Sequence, residues 1–256
     1  MKIATWNVNS IRTRLPRLLD WLERNRPNVM CLQELKVTTE GFPLTELREA
    51  GYSAAVNGQK TYNGVAILSR SEPGDVSSGL GDPVEDPQAR LLSARIDGVA
   101  VISAYFPNGG IVGSPGWVYK LEWMHRLRAH LKRRFLPSER VALCGDFNVA
   151  PRDADVCDPD AWRDTVLFHP QARAILARIA DWGLVDAFQE KHPEGGIYSW
   201  WDYRRLAFPR NKGLRIDHIF LTRPLMNRCV SVEIDRQARK GKLPSDHAPV
   251  VAVLSD

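Results

Sequence analysis

Short apolar runs recur along the chain, and their spacing predicts β-strands at 2–6, 29–32, 66–69, 91–96, 99–105, 141–144, 216–221, 230–234 and 250–254. Helical periodicity separates some of them. Leu15, Leu18, Leu19 and Leu22 mark a first helix that ends before Pro27. Trp117, Leu121, Met124, Leu127 and Leu131 mark a second, entered through Ser114-Pro115, and Ile175, Leu176, Ile179 and Trp182 a third, opened by His169-Pro170. Runs 91–96 and 99–105 flank Asp97-Gly98, a pair suited to a tight primed turn, so they read as a hairpin. Hairpins mixed with helical crossovers predict an α/β fold: two packed mixed sheets flanked by helices, four layers in all. With no repeat, low-complexity tract or linker-like shift, the expectation is one domain over 1–256.

Composition narrows the classes. Hydrophobic residues make up 44% and charged residues 25%, which suits an ordinary globular core under a solvated surface. Cys31, Cys144, Cys157 and Cys229 show no C-x-x-C spacing, so they read as small buried hydrophobes in a reducing compartment. The first residues alternate like a strand, without the apolar segment of an export signal, and no apolar run could span a membrane. These features predict a cytoplasmic protein with no membrane partner. A net charge of +5 favours polyanions modestly. Its distribution says more: Arg204, Arg205, Arg210, Lys212 and Arg215 follow one another without an acid, near Tyr198, Trp200, Trp201, Tyr203 and Phe208. Cations for phosphates interleaved with rings for bases suggest nucleic acid. A second basic cluster runs through Arg236, Arg239, Lys240 and Lys242.

Polar residues gather where the strands end. After Val141-Ala-Leu-Cys comes Gly145, then Asp146 and, two positions on, Asn148, able to share one face and to suit a hard cation or a water. Gly-Asp-x-Asn is also the chemistry of a turn. Five further runs carry such residues: Asn7 and Asn9, Gln33 and Glu34, Asn108, Asp217 with His218, and Asp246 with His247. Each has an ordinary explanation as a cap, a turn former or a core histidine. Six in one chain point to a common site.

The segments Trp6-Asn-Val-Asn-Ser-Ile-Arg12, Leu32-Gln-Glu-Leu-Lys36, Tyr105-Phe-Pro-Asn108, Gly145-Asp-Phe-Asn148, Gly213-Leu-Arg-Ile-Asp217 and Pro244-Ser-Asp-His-Ala-Pro249 resemble the exonuclease III family of abasic-site endonucleases. That family lies within the endonuclease/exonuclease/phosphatase superfamily. The resemblance runs in order from residue 2 to about 254 and implies a DNase I-like sandwich. It implies a magnesium-dependent phosphodiesterase, with manganese as a substitute, acting on duplex DNA with abasic sites or blocked 3′ ends, as a monomer. Internal abasic incision, 3′→5′ exonuclease action and 3′-phosphatase or phosphodiesterase trimming are the activities implied. A superfamily phosphoesterase for an inositol phosphate or phospholipid is the alternative, one that would not need the aromatic-basic segment; a silent DNA-binding protein would not need the catalytic positions.

The resemblance also implies roles. Glu34 is the principal metal ligand, supported by Asn7 and Asp246; Asp146, Asn148 and His247 are further metal candidates, Asn148 holding the attacking water or a second metal. Asp146 orients and deprotonates the attacking water, and Asn148 steadies it. Asp217 pairs with His247, so that a protonated ring can bind a phosphate oxygen. Tyr105 and Asn108 contact the scissile phosphate. Trp200, Arg204 and Leu214 enclose a flipped sugar or press into the duplex, and Arg90 contacts the backbone. An aspartate at its reference pKa of ~3.9 is a weak base, so Asp146 requires either a raised pKa or a metal-acidified water. Two departures bear on activity. Ile111 stands where some relatives have an arginine. His169 stands where relatives often carry a smaller residue, and is either a helix-entry residue or a group that crowds an internal abasic sugar.

Overall fold

The apolar runs pair into two six-stranded mixed sheets in a computed structural model that describes residues 1–255. The first sheet uses β1 (Lys2–Asn7), β2 (Val29–Gln33), β3 (Ser53–Asn57), β4 (Val65–Ser69), β11 (Cys229–Ile234) and β12 (Val250–Leu254), in the order β11-β12-β1-β2-β4-β3. The second uses β5 (Gly74–Ser78), β6 (Leu91–Ile96), β7 (Val99–Tyr105), β8 (Val141–Asp146), β9 (Leu184–Asp186) and β10 (Asp217–Thr222), in the order β5-β6-β7-β8-β10-β9. Each sheet has one parallel pair near its middle, β1 with β2 and β7 with β8. A parallel pair needs a crossover, and helices supply both: α1 (Ile11–Asn25) and, after the short α2 (Leu44–Glu49), α3 (Pro115–Arg134). The shorter α4 (Pro159–Trp162), α5 (Pro170–Ala180), α6 (Ala187–Lys191) and α7 (Arg223–Met226) complete the chain.

Three apolar layers make this a four-layer sandwich. Ile3, Cys31, Ile67, Val101, Cys144 and Ile219 fill the space between the sheets. Leu18, Trp21 and Leu22 of α1 cover the first sheet's outer face, and Met124, Leu127 and Leu131 of α3 with Ile175 and Ile179 of α5 cover the second's. Burying each such side chain contributes about 1.5–3 kcal/mol, so the layers fix which strand ends meet. Gln33 adds a polar peg across the inner layer, donating to Thr5 in its own sheet (3.0 Å) and Ser103 in the other (3.2 Å).

Local chemistry explains the boundaries. Ser114 caps α3 by accepting from the Trp117 N–H at 3.2 Å, with Pro115 in the first turn. His169 does the same for α5 through Nδ1. Asp97 and Gly98 both hold positive φ (50° and 77°), as a primed hairpin turn requires. Strands β3, β5 and β9 were not expected from the sequence. β3 is built on alanines, β5 is mostly exposed and β9 has three residues, so none shows a clear apolar period. All four cysteines are free. Among the described residues no helix is long and apolar enough to cross a membrane.

Candidate active site

Strand register builds the first half of the site. In the second sheet Tyr105 pairs with Asp146, and Asp146 with Asp217. Paired residues share a face, so phenol and two carboxylates form a row at the C-terminal ends of β7 and β8. Gly145 makes the row possible: its φ is 150°, and a Cβ there would overlap the Ala104 carbonyl. In the first sheet the parallel ends of β1 and β2 deliver Asn7 and Glu34 to the same place. Glu34 has left-handed backbone (φ 52°), which costs roughly 1–2 kcal/mol. It is pinned on both sides, by the Ser10 N–H on its carbonyl (2.8 Å) and by Leu35 N–H on Gly64 (3.2 Å).

Asp146 is 1% exposed. Its Oδ1 accepts from the Asn148 N–H (2.9 Å), and Oδ2 from Asn7 Nδ2 (2.9 Å) and Asn148 Nδ2 (3.3 Å). The turn and the site are therefore the same residues. Asn148 also accepts on Oδ1 from Asn108 Nδ2 (3.0 Å). His247 donates from Nδ1 to Asp217 (2.8 Å), and its Nε2 lies 3.7 Å from Asp146. Ser199, not singled out from the sequence, donates to the same Asp217 oxygen at 2.7 Å and accepts from two backbone N–H groups.

Burial and charge set the protonation states. Burial, reinforced by Asp217 and Glu34 against His247 and the Asn7 amide, raises the Asp146 pKa to about 7. Burial works against a charged His247, but Asp217 and Asp146 outweigh it and carry its pKa up to about 10. Burial, then the Glu34 and Asp146 carboxylates, push the Tyr105 phenol well above its usual value despite Arg90. At neutral pH the site thus holds an imidazolium, a protonated phenol and a carboxyl group poised to take or release a proton.

Ligand atoms of Glu34, Asp146 and His247 lie within 4.8 Å of one another, a group able to hold a metal ion. An imidazolium has no free lone pair, which leaves the two carboxylates as the donors at neutral pH. Asn7 turns its Nδ2 toward Glu34 (2.8 Å) and Asp146, while its Oδ1 accepts from the Asn9 N–H (2.9 Å). Asp246 stands outside that group. Its oxygens hold Asn9 Nδ2 (2.9 Å) and Trp200 Nε1 (3.0 Å), so it orients the tryptophan.

The surface expectations need correction. Leu214 has no exposed surface; it lies in the core beneath Trp200 and cannot press into a duplex. Within the basic-aromatic segment, Arg215, Tyr198 and Trp201 are buried: Arg215 is paired with Asp155 and Asp186 (both 2.8 Å), and the two rings pack with Ala207 and Ala248. Arg204 is exposed and paired with Asp202. Arg90 is nearly buried: its guanidinium stacks 4.8 Å from the Tyr105 ring and donates to the Tyr105 carbonyl, so it supports that residue first. His169 packs edge-on against Trp117 at 5.0 Å. Lys120 was also missed. It sits three residues after Trp117 and four before Met124 on the buried stripe of α3, a charged residue at a core-facing position, and that spacing was the available signal. Burial lowers its pKa to about 7, against the pull of Asp146.

A DNase I-like sandwich with acids, an imidazole and a phenol converging at its strand ends is the architecture of a phosphoesterase. Residues 4–247 match the Endonuclease/Exonuclease/phosphatase family, and the chain belongs to it. It is 35% identical to exodeoxyribonuclease III of Haemophilus influenzae, over 98% of this chain and 99% of that one. An AP endonuclease structure from Archaeoglobus fulgidus superimposes with a TM-score of 0.97 at 42% identity, covering both chains completely. The 3′ phosphatase NExo from Neisseria, bound to a product DNA hairpin, gives 0.96 at 41% identity over 100% of this chain and 99% of that one.

Proposed function

We propose that this chain is a DNA-repair phosphodiesterase, a single cytoplasmic domain acting as a monomer on blocked 3′ ends and abasic sites of duplex DNA. One observation carries the chemistry: Asp146 is buried between Asp217 and Glu34 and faces an imidazolium. A carboxylate with its pKa near the working pH is an effective general base, so Asp146 takes the proton from the attacking water. Asn148, held in the turn that Asp146 closes, orients that water. His247, fixed by Asp217, presents a positive N–H to a phosphate oxygen. Tyr105, still protonated, donates toward the leaving oxygen, and Asn108 steadies the phosphate.

The oxygen donors of Glu34 and Asp146 suit a hard cation. Glu34, at 18% side-chain exposure the most accessible of the clustered ligands, would hold magnesium, or manganese in its place, whose charge offsets that building on the phosphate. Exposed Ile111, Tyr203, Arg204 and Leu206 lie on connections that lead into the site and form the surface offered to DNA. This surface favours DNA over an inositol phosphate or phospholipid.

We further infer that 3′-end processing dominates. His169 caps α5 and packs edge-on against Trp117, which fixes its ring on the segment tied to the Asn148 turn by the Ala150 N–H to Leu167 bond (2.8 Å). There it crowds an internal abasic sugar and leaves a frayed 3′ end accessible. A 3′-phosphate duplex, an internal abasic duplex and an inositol phosphate, each with magnesium and with a chelator, test both readings. Chelator-sensitive removal of the 3′ phosphate should exceed abasic incision, and His169→Ser should raise incision. Cleavage of neither DNA overturns the function. Strong incision unchanged in His169→Ser removes the role of His169.

A further inference from the structure

Lys120 has no exposed surface, and its place between Trp117 and Met124 on the buried face of α3 is one that an apolar residue would fill at no electrostatic cost. Burying an ammonium group is expensive unless its donors are satisfied. Here all three are used: Nζ donates to the carbonyls of Asn148 (2.7 Å), Val166 (2.7 Å) and Asn108 (3.1 Å). Among the described residues no carboxylate lies within ion-pair distance of it. The lysine is therefore committed to backbone carbonyls and not to an acid.

Those carbonyls belong to three different connections. Asn108 lies between β7 and α3, Asn148 follows β8, and Val166 leads into α5. The first two carry amides of the site, which also bond to each other. Gly109 closes over the lysine stem: its φ is 95°, and a Cβ there would approach Lys120 Cδ to 2.9 Å. The Trp117 ring lies 5.9 Å from Nζ on another side. The ammonium is thus walled in directly behind the Asn108–Asn148 pair.

We propose that Lys120 is a positioning residue for phosphodiester cleavage: its ammonium gathers three connections so that the Asn108 and Asn148 amides converge with Asp146 on one phosphate. It acts through those residues and touches no substrate. The role rests on the phosphodiesterase reading above and adds to it a residue set apart from the strand ends, on the buried face of α3.

The test is kcat and KM on a 3′-phosphate duplex with magnesium, for wild type, Lys120→Met and Lys120→Gln, each assayed well below its own melting midpoint. Displacing preorganised groups by about an ångström costs on the order of 10²-fold, so Lys120→Met should lose about that much kcat with KM within about threefold. Glutamine keeps two of the three N–H donors on a shorter stem, and Lys120→Gln should recover part of the loss. A simple packing role would not separate kcat from KM in this way, nor rank the two variants. Lys120→Met with kcat within about threefold of wild type, or Lys120→Gln no better than Lys120→Met, would overturn the proposal. If Lys120→Met does not fold, a double-mutant cycle of Lys120→Gln with Asn108→Ala decides: non-additive losses support positioning and additive losses refute it. Chelator-sensitive cleavage by wild type is the separate control, since its absence would count against the phosphodiesterase reading and not against Lys120 alone.

Discussion

Two buried histidines lie at the start of β10, one beside the strand and one in it, and one is charged while the other is neutral. His247 meets Asp217 on one side of that strand's start, and burial's penalty is outweighed by carboxylates that raise its pKa to about 10. His218, the next residue after Asp217, accepts from Arg215 on Nδ1 (2.9 Å) and donates from Nε2 to Val149 (3.0 Å). Burial and then Arg215 lower its pKa to about 4. Both rings are buried. The sign of the nearest charge decides, and the comparison separates an imidazole held charged by carboxylates from one held neutral beside Arg215.

The largest effect should come from breaking the Arg215 side. Arg215→Met strands Asp155 and Asp186, and losing one partner of a buried ion pair costs about 3–5 kcal/mol, readable as a shift in urea unfolding. A loss below about 1 kcal/mol would show the network to be dispensable. Next comes the charged side: Asp146→Asn should cut turnover at least ~10²-fold, about 2.7 kcal/mol, with DNA binding kept. Near-normal turnover would remove its role as base.

Stability against pH sharpens the contrast. The folded pKa of His247 lies above its unfolded value of 6.5, so its contribution is whole below pH 6.5 and fades as pH rises toward about 10. His218 runs the other way, contributing fully above pH 6.5 and losing its contribution as pH falls toward about 4. In metal-free buffer His247→Gln should flatten the alkaline limb and His218→Gln the acid limb; the reverse pattern would exchange the assignments. The smallest effect concerns binding. Arg204→Ala should reduce the slope of log affinity against log salt by about 1, and a salt-independent affinity would place DNA elsewhere.

Much of this was legible in the sequence because the strands alternate with strong apolar runs and close on polar residues. Asp146 could be placed at a strand end from Val141-Ala-Leu-Cys and Gly145 alone, and its need for either a raised pKa or a metal-acidified water follows from elementary acidity. Burial of charge was not legible. Arg215 and Arg204 look alike in a run of basic residues, yet one is locked between Asp155 and Asp186 and the other is solvated. Leu214 failed as a DNA contact for a related reason: the Trp200–Leu214 bridge turns its side chain into the core. Asn7 could be assigned to the site, but which amide atom faces it depends on the Asn9 backbone.

The pairing of β1 with β12, Thr5 opposite Val250 and Lys2 opposite Val253, sets a clock on biosynthesis. A chain made N-terminus first at ~5–20 residues per second leaves β1 without that neighbour for on the order of ten to fifty seconds. Its exposed edge invites mispairing meanwhile, which makes early chaperone contact advantageous. The same delay has a second effect: Glu34 and His247 meet only once the segments around β1 and β12 have come together, so a polypeptide still short of β12 carries no assembled centre.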